Sequence, residues 1–363
     1  MKIAFYAPLK SPSHPVPSGD RLMAQLLMAA LRLAGHEVSL VSELRSFRGD
    51  AQDWAGLSSL QKDAAAEHAR LRDEWQQGAA DLWLCYHPYY KAPDLIGPAL
   101  CAEFARPYVT VESSYSERRN LGIWAGMQGH VRAGVRAALV NICLTARDHH
   151  GLCEVEPEAR LARLAPFLDA GAFLQQTPRP EPMHLICVAM MRAGDKLDSY
   201  AHLAAALAQV PEPWRLTLVG DGPARPQVEA LFAGFAPERI FWAGQQDREG
   251  IAALMSRAAV YVWPGCGEAF GLAYLEAQAV GLPVLAWRTA GVPEVVVDGA
   301  SGVLTPEGDD AAYARALSAL LQDAPRRAAL ARGARVQVEH HHTLSAAAAA
   351  LDAILSRHLE EMT

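Results

Sequence analysis

Residues 267–283 read GEAFGLAYLEAQAVGLP and place two acids, Glu268 and Glu276, eight positions apart around Phe270-Gly271-Leu272. Upstream, residues 259–264 (AVYVWP) form a short apolar, β-branched and aromatic run ended by Pro-Gly, the pattern of a buried strand leading into a loop. A strand, a loop and then a helix beginning near Gly271 is the unit this stretch predicts. Such a turn presents free backbone N–H groups and the positive end of a helix dipole, a setting that suits a phosphate. With the helix starting at Gly271, Glu276 lies about 7 Å along its axis and Glu268 stays in the loop. Ionised carboxylates only accept hydrogen bonds, and each can take two hydroxyl hydrogens, so Glu276 fits a ribose diol and Glu268 a sugar. Taken alone, an exposed helical glutamate is more often a solvated face.

Working outward, residues 290–309 (AGVPEVVVDGASGVLTPEGD) continue the pattern through a strand, a turn and a helix start, and the chain opens MKIAFYAP with LRLAGHEVSLVS following. These segments resemble the retaining glycosyltransferases of family 4, whose E-x7-E motif lies in the second of two Rossmann-like domains of the GT-B fold. The resemblance spans nearly the whole chain, strongest from about Leu216 onward and weaker between Arg45 and Pro178. It implies two parallel-sheet α/β domains facing a cleft, with a C-terminal helix crossing back to the first. It also implies transfer of a sugar from a nucleotide-diphosphate donor, a UDP- or GDP-sugar, to an acceptor hydroxyl with retention of configuration. The expected acceptor is a saccharide, a lipid-linked molecule or a small molecule. No cofactor and no metal are required.

The resemblance carries over residue by residue. Arg192 and Lys196, in MRAGDK after the first strand of the second block, match the cations that neutralise the donor diphosphate, at a spacing one residue shorter than the commoner pattern. Ala269, Phe270, Gly271 and Leu272 supply the loop and helix start that hold the diphosphate, Glu276 the ribose contact, and Glu268 the contact that positions the sugar. Gly220, in G-D-G-P, is a strand-end turn near the nucleotide; it lacks the third glycine and the acid of a dinucleotide fingerprint. In the first block, PSGDR (residues 17–21) stands where the family has a glycine-rich loop, and Gly19 is the one glycine left to approach the phosphate. Asp20 reads better as an N-cap than as a substrate contact. His87, at the end of LWLCYH, resembles the histidine that lies near the transferred sugar, although a lone strand-end histidine is as often structural. PFLD (residues 166–169) and PGCG (residues 264–267) depart from the family pattern and leave donor and acceptor identity open.

Length, composition and charge agree. A chain of 363 residues with 51% hydrophobic content exceeds what one core fills, so two domains are expected. The net charge of −7 argues against a general nucleic-acid binder. Six cysteines without a C-x-x-C pair point to reduced, mostly buried thiols. The Arg118, Arg119, Arg132 and Arg136 group reads as a solvated helix face before an anion site. The start reads as a strand and no apolar run approaches the ~20 residues of a membrane span, so a cytoplasmic enzyme is expected, with peripheral contact at the inner membrane face left open.

Boundaries are expected at 1–176, 177–340 and 341–363. The run LQQTPRPEPMH (residues 174–184) reads as the linker and hinge, and the Ala-rich residues 345–355 as the terminal helix. Three alternatives remain: an epimerase or phosphorylase of the same architecture, a dinucleotide oxidoreductase, and a non-catalytic nucleotide-sugar-binding protein.

Overall fold

In a computed structural model, which describes residues 1–16 and 18–361, the chain divides into two compact units. The first comprises Met1–Ala165 with Leu344–Thr363, and the second Pro166–Thr343.

The first unit is built on six parallel strands: β1 (Lys2–Tyr6), β2 (Glu37–Ser42), β3 (Leu82–Tyr86), β4 (Tyr108–Val111), β5 (Val140–Cys143) and β6 (Leu161–Arg163). Their order across the sheet is β2-β1-β3-β4-β5-β6. LWLCY, YVTV and VNIC are buried along their whole length, as central parallel strands covered on both faces must be. The covering helices are α1 (Gly19–Leu33), α2 (Trp54–Gly78), α3 (Gly97–Glu103), α4 (Ile123–Ala137) and α5 (Ala146–Val155). The 25-residue α2 and the short edge strand β6 were not legible in the sequence.

The second unit repeats the plan with β7 (His184–Val188), β8 (Arg215–Val219), β9 (Ile240–Gly244), β10 (Val260–Val262), β11 (Val284–Trp287) and β12 (Gly302–Thr305). Its order is β12-β11-β10-β7-β8-β9. In this sheet β7 sits inside and later strands are added on both of its sides, as they are around β1 in the first, the doubly wound plan of a Rossmann-like domain. Its helices are α6 (Gly171–Leu174), α7 (Asp195–Leu207), α8 (Arg225–Phe232), α9 (Arg248–Met255), α10 (Leu272–Val280), α11 (Asp310–Gln322) and α12 (Ala324–His341). Trp214, Trp263, Trp287, Tyr261 and Tyr274 are almost wholly buried around this sheet.

The boundaries differ from those read in the sequence. The chain passes between units at 165/166 and 343/344, because residues 166–176 are bound into the second unit. The buried His342 contacts the Pro166 carbonyl through Nδ1 at 2.6 Å, Leu168 N–H donates to the His342 carbonyl at 2.9 Å, and Arg335 donates to the Leu174 and Gln176 carbonyls. The proline run is likewise no free linker. Arg179 N–H donates to Ser256 O at 2.7 Å and Glu181 N–H to Arg257 O at 2.8 Å, fastening the run beside β10. The last helix, α13 (Leu344–Glu360), belongs to the first unit, where it packs on α1.

These two strand orders decide where a site can form. In each sheet the order reverses between two neighbours, β1 and β3 in one unit and β7 and β10 in the other. Loops leaving the carboxyl ends of such neighbours diverge and open a crevice.

Candidate functional site

The loops after β7 and β10 carry Arg192 and Glu268 and lead into the helices α7 and α10, and Lys196 is the second residue of α7. Both helices begin at a glycine of positive φ, Gly194 at +79° and Gly271 at +79°, and neither start is capped by a side chain. By contrast, α9, α11 and α12 of the same unit are capped by Asp247, Asp309 and Asp323. An uncapped helix start leaves its first N–H groups to an outside acceptor, and glycine lets that acceptor approach the backbone. The two starts are drawn together. The N–H of Cys266 donates to Ser199 Oγ at 2.9 Å, and a Cβ on Gly267 would fall 2.5 Å from Asp195 Oδ2.

At the centre, Lys196 Nζ pairs with Glu268 Oε1, which also accepts from Trp263 Nε1 at 3.1 Å. The Lys196 and Glu268 side chains are only 17% and 15% exposed. Trp263 is fixed in turn by Tyr274, whose hydroxyl donates to its carbonyl at 3.1 Å, and by the edge of Tyr200 at 4.9 Å between ring centroids. Lys196 also stands 5.4 Å from the Trp263 ring centre. The loop acid and the helix cation that the sequence singled out therefore form one rigid pair. Ala269 is exposed and Phe270 buried, and Leu272 is the first residue of α10. Arg192 is exposed on the loop after β7, and among the described residues it has no ion pair.

Glu276 lies in the second turn of α10, half-buried. Burial pushes its carboxyl up to about 7, and the positive charge of Arg248 opposes that rise. Arg248 is held by Asp169, with Nη1 to Oδ2 at 3.2 Å, and stacks over Phe173. Thus residues 166–173 reach the surroundings of Glu276 through an arginine that sequence reasoning missed. Trp263 was missed as well, since a strand-end tryptophan reads as core. Gly220, after β8, has φ +136°, and a Cβ there would lie 2.0 Å from the Ala189 carbonyl oxygen, so glycine is obligatory where β8 and the loop after β7 meet.

In the first unit, His87 and Gly19 follow β3 and β1, the other reversal point. The N-cap of α1 is Ser18, which accepts from Arg21 N–H at 3.2 Å, and not Asp20. Asp20 instead turns its carboxylate to His87 Nδ1 at 3.1 Å. A Cβ on Gly19 would meet nothing within 4 Å, so packing does not require glycine there. Pro17 of the same loop lies outside the described residues. Burial alone would lower the His87 imidazolium, but Glu112, Asp20 and Asp148 outweigh it and raise the group to about 9. Arg132 and Arg136 pair with Glu156 at 2.7 and 2.5 Å, and Arg118 and Arg119 lie on a separate 3-10 turn, so the four arginines do not form one site.

Residues 182–323 match the model of the glycosyl transferases group 1. The matched stretch lies within the second unit. The chain is 39% identical over 155 residues to the D-inositol 3-phosphate glycosyltransferase of Xylanimonas cellulosilytica, covering 41% of this chain and 37% of that one. It therefore spans well under half the length of that relative. Over its whole length it shares the fold of sucrose-phosphate synthase from Thermosynechococcus elongatus, at TM-score 0.74 and 20% identity with all of both chains covered. It also shares the fold of HepE of Anabaena solved with UDP, at TM-score 0.73 and 16% identity over 98% of this chain and 100% of that one. The two Rossmann-like units are those of the GT-B fold. No helix among the described residues is long and apolar enough to cross a membrane.

Proposed function

We propose that the protein transfers a sugar from a nucleotide-diphosphate-sugar, a UDP- or GDP-sugar, to an acceptor hydroxyl with retention of configuration. The observation that carries this reading is the Lys196–Glu268–Trp263 group set between two uncapped helix starts, because it combines a fixed cation, free N–H donors and a sugar-reading acid. Lys196 spends one of its three hydrogens on Glu268 and keeps two for a phosphate oxygen. Arg192, on the same loop, adds a second charge. As the bond from the anomeric carbon to phosphate breaks, its electron pair leaves with the nucleoside diphosphate. Fixed cations and helix N–H groups stabilise that growing charge more in the transition state than before it. The acceptor oxygen bonds to the same face of the anomeric carbon, and its proton passes to the departing phosphate oxygen. Glu276 holds the ribose diol, and Gly220 shapes the turn beside the nucleotide. In this mechanism the positive charge is supplied by side chains, and no step calls on a metal or a cofactor.

On this reading the acceptor is a saccharide, a lipid-linked molecule or a small molecule, and the enzyme works in the cytoplasm, with a lipid-linked acceptor met at the inner membrane face. The test is a calorimetric screen of UDP-, GDP- and ADP-sugars, followed by product analysis with the one that binds. Selective binding with transfer to an added acceptor is expected. Binding with isomerised or phosphorolysed donor, or no binding at all, would overturn the proposal.

A further inference from the structure

At the carboxyl end of the first unit's sheet, two neighbouring strands end in ionisable residues of left-handed backbone, His87 at φ +58° and Glu112 at +59°. Residues without glycine's freedom take that conformation at a cost, which local structure must hold in place. Glu112 is 7% exposed, and its Oε2 is buried with no hydrogen-bond partner. The hydroxyl of the next residue, Ser113, is likewise buried and unpartnered. A buried carboxylate oxygen without a donor is destabilising, so such an atom at a substrate-facing crevice signals a donor that arrives with the ligand.

The charges around it set what kind of donor that is. His87 is flanked by Asp20 at 3.1 Å, by Glu112 and by Asp148 at the start of α5, whose Oδ2 accepts from Thr145 Oγ1 at 2.6 Å. One imidazolium thus faces three acids. Lys10 acts on Asp20, while among the described residues His87 is the cation that acts strongly on Glu112. Burial, Asp148 and Asp20 push the Glu112 carboxyl up, and His87 and a hydrogen bond with Tyr86 oppose that rise, while its Oε2 has no donor, so an arriving cation would both supply that donor and favour the ionised carboxylate. Access is open through His87 and Asp20, whose side chains are 21% and 38% exposed.

We propose that Glu112, with Asp148 and Asp20, binds an ammonium group, so that the acceptor is an amine-bearing saccharide or cyclitol rather than a neutral one. An ammonium supplies both the missing charge and up to three donors, whereas a hydroxyl supplies one donor and no charge. That the bound amine is the acceptor rests on the transferase reading; the binding itself does not.

The test uses the full chain at neutral pH and three probes of one shape, glucosamine, N-acetylglucosamine and glucose, titrated by saturation-transfer NMR. Glucosamine is expected to bind about 10-fold more tightly than either neutral probe, the size of one charge-assisted contact. Glu112→Gln should remove that preference while keeping the affinity for glucose. Equal binding of the three probes, absence of binding by glucosamine, or a preference that survives Glu112→Gln would overturn the proposal. If Glu112→Gln lowers thermal stability so far that it cannot be titrated, Asp148→Asn is tested in its place with the same expected outcome. A parallel titration with UDP reads the nucleotide site of the second unit, so loss of UDP binding counts against the transferase reading and loss of amine preference against this one.

Discussion

Glu276 is the residue whose proposed task and surroundings conflict most. Its carboxyl must be ionised to accept two ribose hydroxyls, yet burial raises it from its ordinary 4.5 to about 7, with Arg248 only partly offsetting the effect. At ~1.4 kcal/mol per pH unit, these surroundings penalise the ionised form by up to about 3 kcal/mol. Two consequences can be measured on Glu276→Gln. A carboxyl raised in the folded state stabilises the fold below pH 4.5 and loses that contribution as pH rises through about 7. Glutamine does not ionise, so the variant should exceed wild type by under ~1 kcal/mol near pH 5 and by up to ~3 kcal/mol at pH 8, a gain of several degrees in Tm at roughly 2–4 °C per kcal/mol. Function should move the other way. Wild-type affinity for the donor should rise about 10-fold from pH 6 to pH 8 as the ionised fraction grows, and Glu276→Gln should bind about 10- to 100-fold more weakly at pH 8 with a flat profile. Scanning calorimetry and titration of the donor at pH 5, 6, 7 and 8 measure both. A variant that is no more stable at pH 8 and binds the donor as wild type does would refute this assignment.

Other substitutions separate roles from packing. Lys196→Ala should lower turnover by about 10²–10³ with a change in thermal unfolding too small to explain it, as read by initial rates beside calorimetry. Gly220→Ala should cost about 3 kcal/mol, because its Cβ meets the Ala189 carbonyl at 2.0 Å, whereas Gly19→Ala, with open space around it, should stay within about 0.5 kcal/mol; urea midpoints of the two decide this. His342→Ala should destabilise the second unit by about 1–3 kcal/mol by freeing residues 166–168, and limited proteolysis should then cut that segment first.

Much of this was legible in the sequence, and the reasons are local. β7, β8, β10 and β11 announce themselves as short apolar runs, and Gly271 marks the start of α10. Helix α2 was hidden because only Leu60, Ala64, Leu71 and Trp75 along it are buried, too narrow a stripe to stand out from its polar residues. Asp20 passed for a cap because the spacing allowed it, while Ser18 two residues earlier took the role and released Asp20 to His87. The proline run looked like a linker by composition, since sequence cannot show that its N–H groups find Ser256 and Arg257.

What the sequence determined by itself was the alternation of strands and helices and the acid, base and glycine types along the loops, since these follow from periodicity and from side-chain chemistry within a few residues. Only the tertiary structure decided which loops meet. Strand order puts β7 beside β10 and β1 beside β3, so Lys196 reaches Glu268 across 72 residues and His87 reaches Asp20 across 67, while the packing of α6 on α9 lets Arg248 reach Asp169 across 79. Those pairings depend on sheet topology and on which side chains it buries together, and neither is a property of any short stretch of chain.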